Sequence, residues 1–234
     1  MCDIKTFFDN LASDWDRRSN HKYIEYIIRK IDIHENSKIL DVACGTGILE
    51  EYLLQYNPKE ILGVDISKNM IEIAKEKNND KRVKYLCEDI FNIEAGQWDF
   101  IIVFNSFPHF VDKEKFLSHL SKLLKIGGKL IICHNFSRKS IDKIHKNMSE
   151  SISSQLISGK ELVEIAPVFF KENLVIDNNK IYLVILDYFS WSAYIKIVIF
   201  NSNLYILSKE WTSEKGNFRG WYWIIISFCR KILH

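Results

Sequence analysis

A ten-residue stretch, from Lys38 to Gly47, constrains the fold of this chain more than any other part of its sequence. It reads Lys-Ile-Leu-Asp-Val-Ala-Cys-Gly-Thr-Gly, and an amphipathic segment from Ile48 to Tyr56 follows. An apolar run, an acidic residue, a glycine turn and an amphipathic run are typical of a buried strand that leads into a helix. Glycine lets a ligand lie against the main chain, and the first N–H groups of the helix point over the turn. The pattern predicts a nucleotide-type ligand here.

The glycine spacing argues against a dinucleotide. A dinucleotide fingerprint needs a third glycine three positions after the second, where helix and strand pack closely. Glu50 occupies that position, and the acidic residue Asp41 stands before the glycines. An NAD-dependent enzyme is therefore disfavoured.

Predicted strands and helices alternate along the chain, as expected for a parallel sheet. The fold class predicted is α/β, with a doubly wound Rossmann-like sheet, an antiparallel last strand, and helices on both faces. Two details of this prediction concern turns. Gly127-Gly128 is expected to end the helix that begins near Asp112, and Asn178-Asn179 is expected to form a two-residue hairpin turn.

A second acidic residue, Asp65, closes the second predicted strand 18 positions after Gly47. That spacing is close to the one at which an acid at the end of strand two holds both ribose hydroxyls. A carboxylate suits this role because it can accept two hydroxyl donors at once.

Asp41-x-x-x-Gly45-x-Gly47 resembles the first motif of the class I S-adenosylmethionine (SAM)-dependent methyltransferases. Three further stretches resemble the same family: Phe-Asp-x-x-Ala-x-x-Trp-Asp at 8–16, Asp-x-Ser-x-x-Met-Ile-x-x-Ala at 65–74, and Leu-Lys-x-Gly-Gly-Lys-Leu at 124–130. The resemblance covers about residues 1–186 and implies an enzyme that transfers a methyl group from SAM and releases S-adenosylhomocysteine.

The resemblance also implies a cofactor site. Asp41 would lie near the methionine amino group, the glycines would face the sulfonium and ribose, and Asp89 would accept from the adenine amino group beside the backbone N–H of Ile90. The cofactor-binding residues expected are Asp41, Ala43, Gly45, Gly47, Asp65, Ile66, Met70, Asp89, Ile90 and Asn105. An N-terminal helical cap, residues 1–36, would close over the cofactor with Trp15; the alternative is a helix that only packs on the domain.

The loop after the fourth strand should face the transferred methyl group, because active sites of open α/β sheets lie at the carboxyl ends of the strands. Methyltransferases that act on exocyclic amines of nucleic-acid bases carry Asn/Asp-Pro-Pro-Tyr there, whereas this chain has Asn-Ser-Phe-Pro at 105–108. Phe107 and Trp15 would make the acceptor pocket partly aromatic. A small acceptor with a thiol or hydroxyl group is therefore favoured.

Three histidines, His109, His134 and His145, are expected on the acceptor side. Imidazoles titrate near neutral pH and can deprotonate a thiol or hydroxyl. His109 is the first candidate for this base and His134 the second, with His109 and His145 also lining the substrate site. The same histidines could instead hold a metal, but no carboxylate completes such a set and no metal is predicted.

Net charge and cysteine content limit the classes of partner and the cellular compartment that we expect for this chain. A net charge of +2 favours neither nucleic acid nor a docked protein substrate. Five cysteines without a Cys-x-x-Cys pair are expected to be reduced thiols, and no signal peptide or transmembrane segment is recognised, so the chain is expected in the cytoplasm. A homodimer remains open, as do two other functions: a non-catalytic SAM-binding scaffold and a protein or RNA methyltransferase.

Residues 187–234 differ from the predicted methyltransferase domain, residues 1–186. They hold 12 aromatic residues among 48, with no helical or cleanly alternating pattern. Three interpretations remain open: an accessory element for substrate binding or dimerisation, an interfacial membrane anchor, or a tail outside the working fold, including one that arises from a shifted reading frame.

Overall fold

The computed structural model describes residues 3–94, 96–146, 148–149 and 152–189, together with three further short strands at 195–200, 203–208 and 222–224. The chain divides into two compact units, Met1–Phe189 and Ser190–His234.

The first unit alternates helices and strands in the order that the sequence predicts. Its helices are α1 (Ile4–Leu11), α2 (Trp15–Arg18), α3 (Ile24–Ile31), α4 (Glu50–Leu53), α5 (Lys68–Lys77), α6 (Lys113–Leu123), α7 (Arg138–His145) and α8 (Gly159–Ile165). Its strands are β1 (Lys38–Val42), β2 (Glu60–Asp65), β3 (Val83–Cys87), β4 (Trp98–Phe104), β5 (Leu124–His134), β6 (Phe170–Asp177) and β7 (Tyr182–Tyr188).

These seven strands form one sheet in the order β3-β2-β1-β4-β5-β7-β6. The first five pair in parallel, and β7 pairs antiparallel with both β5 and β6. The predicted α/β class, with a mostly parallel sheet and an antiparallel end, is confirmed. The chain runs from β1 to β2 on one side and returns to β4 on the other, so the switch point lies between β1 and β4, where ligands of such sheets bind.

The sheet separates two apolar cores because successive side chains on a strand point to opposite faces. On β5, Leu130 and Ile132 join the core beneath α6 and α8, whereas Ile131 and Cys133 join the core beneath α3 and α4. Helices therefore cover both faces, as predicted.

Two predicted turns are wrong. Gly127-Gly128 does not end α6, because β5 begins at Leu124 and contains both glycines. Gly127 has φ of 84°, and the pairing of β4 with β5 shifts register between Trp98 and Phe100, so the strand accommodates the glycines as an irregularity.

The second wrong turn lies between β6 and β7, which do form the predicted antiparallel hairpin. Its connection spans residues 178–181, and the Asn178 amide donates to the Ile181 carbonyl at 3.2 Å. Both the Lys180 and Ile181 amides donate to the Asn178 side chain. Asn178 therefore organises a four-residue loop, and neither asparagine has the positive φ of a two-residue turn.

The second unit contains three strands, β8 (Ile195–Phe200), β9 (Asn203–Ser208) and β10 (Tyr222–Ile224), paired antiparallel in the order β10-β9-β8. The sequence predicts no regular elements here. The three interpretations of residues 187–234 depend on side chains outside the described part of the chain and stay open. The proposed domain boundary at residue 186 also stays a prediction; β7 itself continues to Tyr188.

No helix in the described ranges is both long enough and apolar enough to cross a membrane.

We expect Leu120→Ala to lower the free energy of unfolding by about 3 kcal/mol. Leu120 on α6 is fully buried against the sheet, so its truncation leaves a cavity. Urea denaturation checks this, with Lys122→Ala on the exposed face of the same helix as the control. Equal stability of the two variants would contradict the packing described.

Candidate active site

The turn after β1 has left-handed backbone at three alternate residues. Ala43, Gly45 and Gly47 have φ of 56°, 57° and 73°. The Cys44 amide donates to the Val64 carbonyl at 3.1 Å, which ties the turn to the end of β2. Only hydrogen or methyl side chains stand at the left-handed positions, so the turn can present bare main chain to a ligand. We call residues 43–47 the glycine loop.

Asp65 links the glycine loop to the start of α5. Its two carboxylate oxygens accept from the Gly45 amide at 2.9 Å and from the Ser67 amide at 2.8 Å. Burial raises the pKa of Asp65, while these two backbone donors lower it. The second predicted acid therefore lies against the first glycine, as a shared ligand would require.

The other predicted cofactor residues extend from this point along β2 and β3. Ile66 follows Asp65 directly, and Met70 is buried on α5 beneath it. After β3, Asp89 accepts from the Phe91 amide at 3.0 Å, and the Ile90 carbonyl accepts from Nε2 of His119 at 2.8 Å. These contacts fix the backbone at 89–90.

Asn105 lies at the end of β4 in the left-handed region, with φ of 55°. It forms a reciprocal pair with Asn135 after β5: Nδ2 of Asn105 donates to Oδ1 of Asn135 at 2.9 Å, and the Asn135 amide donates to Oδ1 of Asn105 at 3.2 Å. Nδ2 of Asn135 also donates to the Asn20 carbonyl, within the predicted cap. The pair joins the ends of two strands to the N-terminal segment.

The N-terminal segment lies directly on the glycine loop. The Trp15 indole nitrogen is 3.5 Å from the position that a Cβ on Gly45 would occupy. Asp16 accepts from the Thr46 hydroxyl at 2.5 Å and pairs with Lys77 at 2.9 Å, and Asp9 accepts from the Ser67 hydroxyl at 2.6 Å. The segment around Trp15 is thus hydrogen-bonded both to the glycine loop and to the start of α5.

An aromatic row connects this segment to the acceptor-side histidines. Phe8 packs edge-on against Trp15 at 5.8 Å and against His109 at 4.9 Å between ring centroids. His109 lies 5.0 Å from His145 in turn. Trp15, His109 and His145 were predicted to lie together, and the structure places them in one row.

His109 carries its proton on Nδ1. That nitrogen is 2.8 Å from the Ile152 carbonyl, which can only accept a hydrogen bond. Burial, with a smaller contribution from the neighbouring His145, lowers the pKa of His109 to about 4, although the Ile152 bond raises it. The ring is neutral at pH 7, with a lone pair on Nε2.

His134 and Phe107 are fully enclosed. His134 faces Tyr182 at 5.9 Å between ring centroids, and neither its ring nitrogens nor the Tyr182 hydroxyl has a hydrogen-bond partner. Burial lowers the pKa of His134 to about 3. Phe107 packs against Phe116 within the core. Neither of the two side chains is open to a ligand, unlike His109, which is half-buried.

His145 bonds Ser153, whose Oγ lies 2.9 Å from its Nδ1. Within the described ranges, no three His, Cys, Asp or Glu side chains are arranged to hold a metal ion. A cavity of about 220 Å³ borders Phe100, Gly128 and Lys129, towards the amino ends of β4 and β5. The glycine loop lies at the other, carboxyl ends of the parallel strands, so this cavity is not next to it.

The central part of the chain matches a known family. The family model of a methyltransferase domain matches residues 40–132, which run from β1 to β5. The malonyl-(acyl-carrier protein) O-methyltransferase of Anoxybacillus flavithermus is 30% identical over 165 residues, 69% of this chain and 62% of that protein. Residues 40–132 therefore form a methyltransferase domain of the class I SAM-dependent type.

A second curated relative of this chain is the ubiquinone biosynthesis O-methyltransferase of Coxiella burnetii. It is 29% identical over 136 residues, 53% of this chain and 57% of the relative. The chain spans about three fifths of the length of these relatives.

Solved structures show the same fold at low identity. A methyltransferase from Haloferax volcanii, solved with its activator Trm112, superposes with a TM-score of 0.68 at 14% identity, over 78% of this chain and 98% of that one. A SAM-dependent methyltransferase from Aquifex aeolicus gives 0.60 at 19% identity, over 76% and 98%.

No role was assigned from the sequence to two residues near the predicted cofactor site, Asn135 and Glu50. Asn135 carried no signal beyond its place after a strand. Glu50 was noticed only because it stands where a dinucleotide site has glycine, and its side chain is fully buried. Burial raises the pKa of Glu50 to about 7, although backbone contacts and Lys77 lower it.

We expect Ala43→Gly to stabilise the protein by about 1 kcal/mol, because a left-handed backbone costs alanine about 1–2 kcal/mol and glycine nothing. Urea denaturation of the variant and the wild type measures the difference. A loss of stability would show that the Ala43 methyl group makes contacts that outweigh the backbone strain.

Glu50→Gln should raise stability at alkaline pH. Glu50 has a folded pKa of about 7 against 4.5 for the free side chain, so the folded state alone keeps the proton between these values. Stability from this group is complete below pH 4.5 and is lost as the pH rises through 7. We expect the variant and wild type to be similar at pH 4.5 and to differ by about 3 kcal/mol at pH 8.

Denaturation at both pH values measures this, and Glu51→Gln, an exposed neighbour on α4, is the control. A constant difference between Glu50→Gln and wild type across this range would contradict the assignment.

Proposed function

We propose that this chain transfers a methyl group from SAM to an oxygen atom of a small acceptor. The observation that carries the proposal is the row from Trp15 through Phe8 to His109, which joins the glycine loop to the loop after β4. A methyl donor on the glycine loop and an acceptor beside the loop after β4 would therefore meet beneath Trp15 and Phe8.

The residues of the chain fit the cofactor. The glycine loop has no side chain larger than methyl at its left-handed positions, and Asp65 lies against Gly45. Oδ1 of Asp41 is buried without a hydrogen-bond partner, as expected of a group that waits for a ligand's donor. Asp41, the glycine loop and Asp65 would hold the amino-acid and ribose parts, and Asp89 with Ile90 the adenine. SAM supplies a methyl group already activated by its sulfonium.

The protein's own task is alignment and exclusion of water. Phe8 and Trp15 would cover the reacting groups, and the Asn105–Asn135 pair would hold the ends of β4 and β5 in place. His109 would accept the acceptor's proton on Nε2, since its Nδ1 proton is bound to Ile152. We assign the base to His109 and not to His134, because His134 is enclosed.

Two observations favour an oxygen acceptor over a thiol. The two curated relatives are both named O-methyltransferases. The low pKa of His109 also makes it a weak base, which suits an acceptor whose O–H is itself acidic, such as a carboxylic acid or an acidic phenol. Such a group needs little help to ionise and brings a negative charge beside the imidazole.

Calorimetric titration with S-adenosylhomocysteine, followed by a labelled-methyl assay on carboxylic acids, phenols and thiols, tests the proposal. We expect micromolar binding, about −8 kcal/mol, and turnover on an oxygen acceptor. Binding without turnover on any acceptor would favour a non-catalytic SAM-binding protein. A folded sample that binds neither SAM nor its product would refute the proposal.

For His109→Ala we expect a kcat lowered about tenfold, less than the usual contribution of a general base because an acidic acceptor needs little help to ionise, with product affinity changed less than about threefold. His34→Ala is the control, because His34 is exposed near the opposite edge of the sheet. Unchanged turnover in His109→Ala would remove the base assignment.

A further inference from the structure

Glu50 is a fully buried carboxylate that the proposed mechanism does not use. Neither of its oxygens has a hydrogen-bond partner, and the same holds for Oδ1 of Asp41 and for the Tyr85 hydroxyl. No lysine or arginine in the described part of the chain forms an ion pair with Glu50 or Asp41. A buried carboxylate without a partner is costly unless it is protonated or meets a cation.

The position of Glu50 is set by two glycines. Its Oε2 lies 3.3 Å from the place of a Cβ on Gly47, and its Oε1 lies 3.0 Å from the place of a Cβ on Gly63. Gly47 belongs to the glycine loop and Gly63 to β2. The carboxylate therefore lies beneath the glycine loop, in room that side chains at these two positions would fill.

Asp41 shares this side of the sheet. Ile39, two residues earlier on β1, faces the core beneath α3 and α4, so the alternation of strand side chains directs Asp41 to the same face. Glu50 begins α4 on that face. A negative charge on one of these carboxylates makes ionisation of the other less favourable, and the Glu50 charge accordingly raises the pKa of Asp41.

We propose that Glu50 is a specificity-determining residue of the cofactor site: its carboxylate beneath the glycine loop, together with Asp41, makes the site favour the cationic methyl donor over the neutral-sulfur product. This inference rests on the proposed function. The donor's sulfonium carries a positive charge that the product's thioether lacks. A negative charge in a poorly solvated place attracts the first and not the second, and the effect acts across the loop without contact.

The charge beneath the loop should vary near neutral pH. Four groups face Glu50 from the surrounding elements: Asp41 on β1, Cys44 in the loop, Tyr85 on β3 and Lys77 on α5. Asp65 on β2 acts in turn on Asp41 and Cys44. Burial raises the pKa values of Cys44 and Tyr85, so both stay neutral, and Lys77 is paired with Asp16. Burial raises the pKa of Glu50 to about 7 and that of Asp41 well above its usual range, so the charge that changes near neutral pH belongs to this pair of carboxylates.

The test is calorimetric titration of the full chain with SAM and with S-adenosylhomocysteine between pH 6 and pH 8.5. We expect the ratio of the two affinities to rise about tenfold over this range in the wild type, as Glu50 ionises. In Glu50→Gln we expect SAM affinity at pH 8 to fall about tenfold, product affinity to change less than about threefold, and the ratio to vary less with pH. Glu51→Gln should behave as wild type.

SAM and S-adenosylhomocysteine can themselves titrate in this pH range. That contribution to the affinity ratio is the same for the wild type and for Glu50→Gln, so it cancels when the two proteins are compared. Equal ratios in the variant and the wild type at pH 8 would overturn the inference while leaving the proposed function intact. Failure of the wild type to bind either ligand would overturn both. If the variant does not fold, the wild-type series decides: a ratio that does not rise with pH overturns the inference.

Discussion

The structure of the site depends on one backbone constraint, the left-handed conformation at alternate residues 43, 45 and 47. It bends the chain sharply between β1 and α4, so that the Gly45 amide reaches Asp65 at the end of the neighbouring strand. Through Asp65 the same turn is joined to the start of α5, and through Thr46 it is joined to Asp16. A side chain larger than methyl at these positions would both strain the backbone and cover the main chain.

The sequence predicted the sheet and the glycine turn after its first strand because both depend on local rules. Glycine at 45 and 47, an acid at the end of β2 and apolar strands each have a meaning within a few residues. The wrong turns arose where tertiary contacts outweighed those rules. Gly127-Gly128 has the composition of a helix end, yet pairing with β4 draws both residues into β5. The Asn178 side chain bonds two amides, a choice that the letters Asn-Asn do not specify.

The acceptor side was less predictable, because its chemistry depends on burial. His109 and His134 are the same residue type, and each follows or ends a neighbouring strand. One retains a hydrogen bond to Ile152 and partial exposure, whereas the other is enclosed beside Tyr182 with both ring nitrogens unpaired. The burial of Glu50 was equally unpredictable. A glutamate at the start of a helix usually faces solvent, and only the space left by Gly47 and Gly63 in the structure explains why this side chain is buried.

The attachment of the first two helices has a consequence for the order in which the protein folds. These helices precede the sheet along the chain, yet Asp16 bonds a residue 30 positions later and Asp9 a residue 58 positions later. The loop-closure entropy of such contacts must be overcome before they form, so α1 and α2 dock only after β1, β2 and α5 have assembled. The segment that lies on the glycine loop therefore precedes the sheet in the sequence but becomes ordered after it.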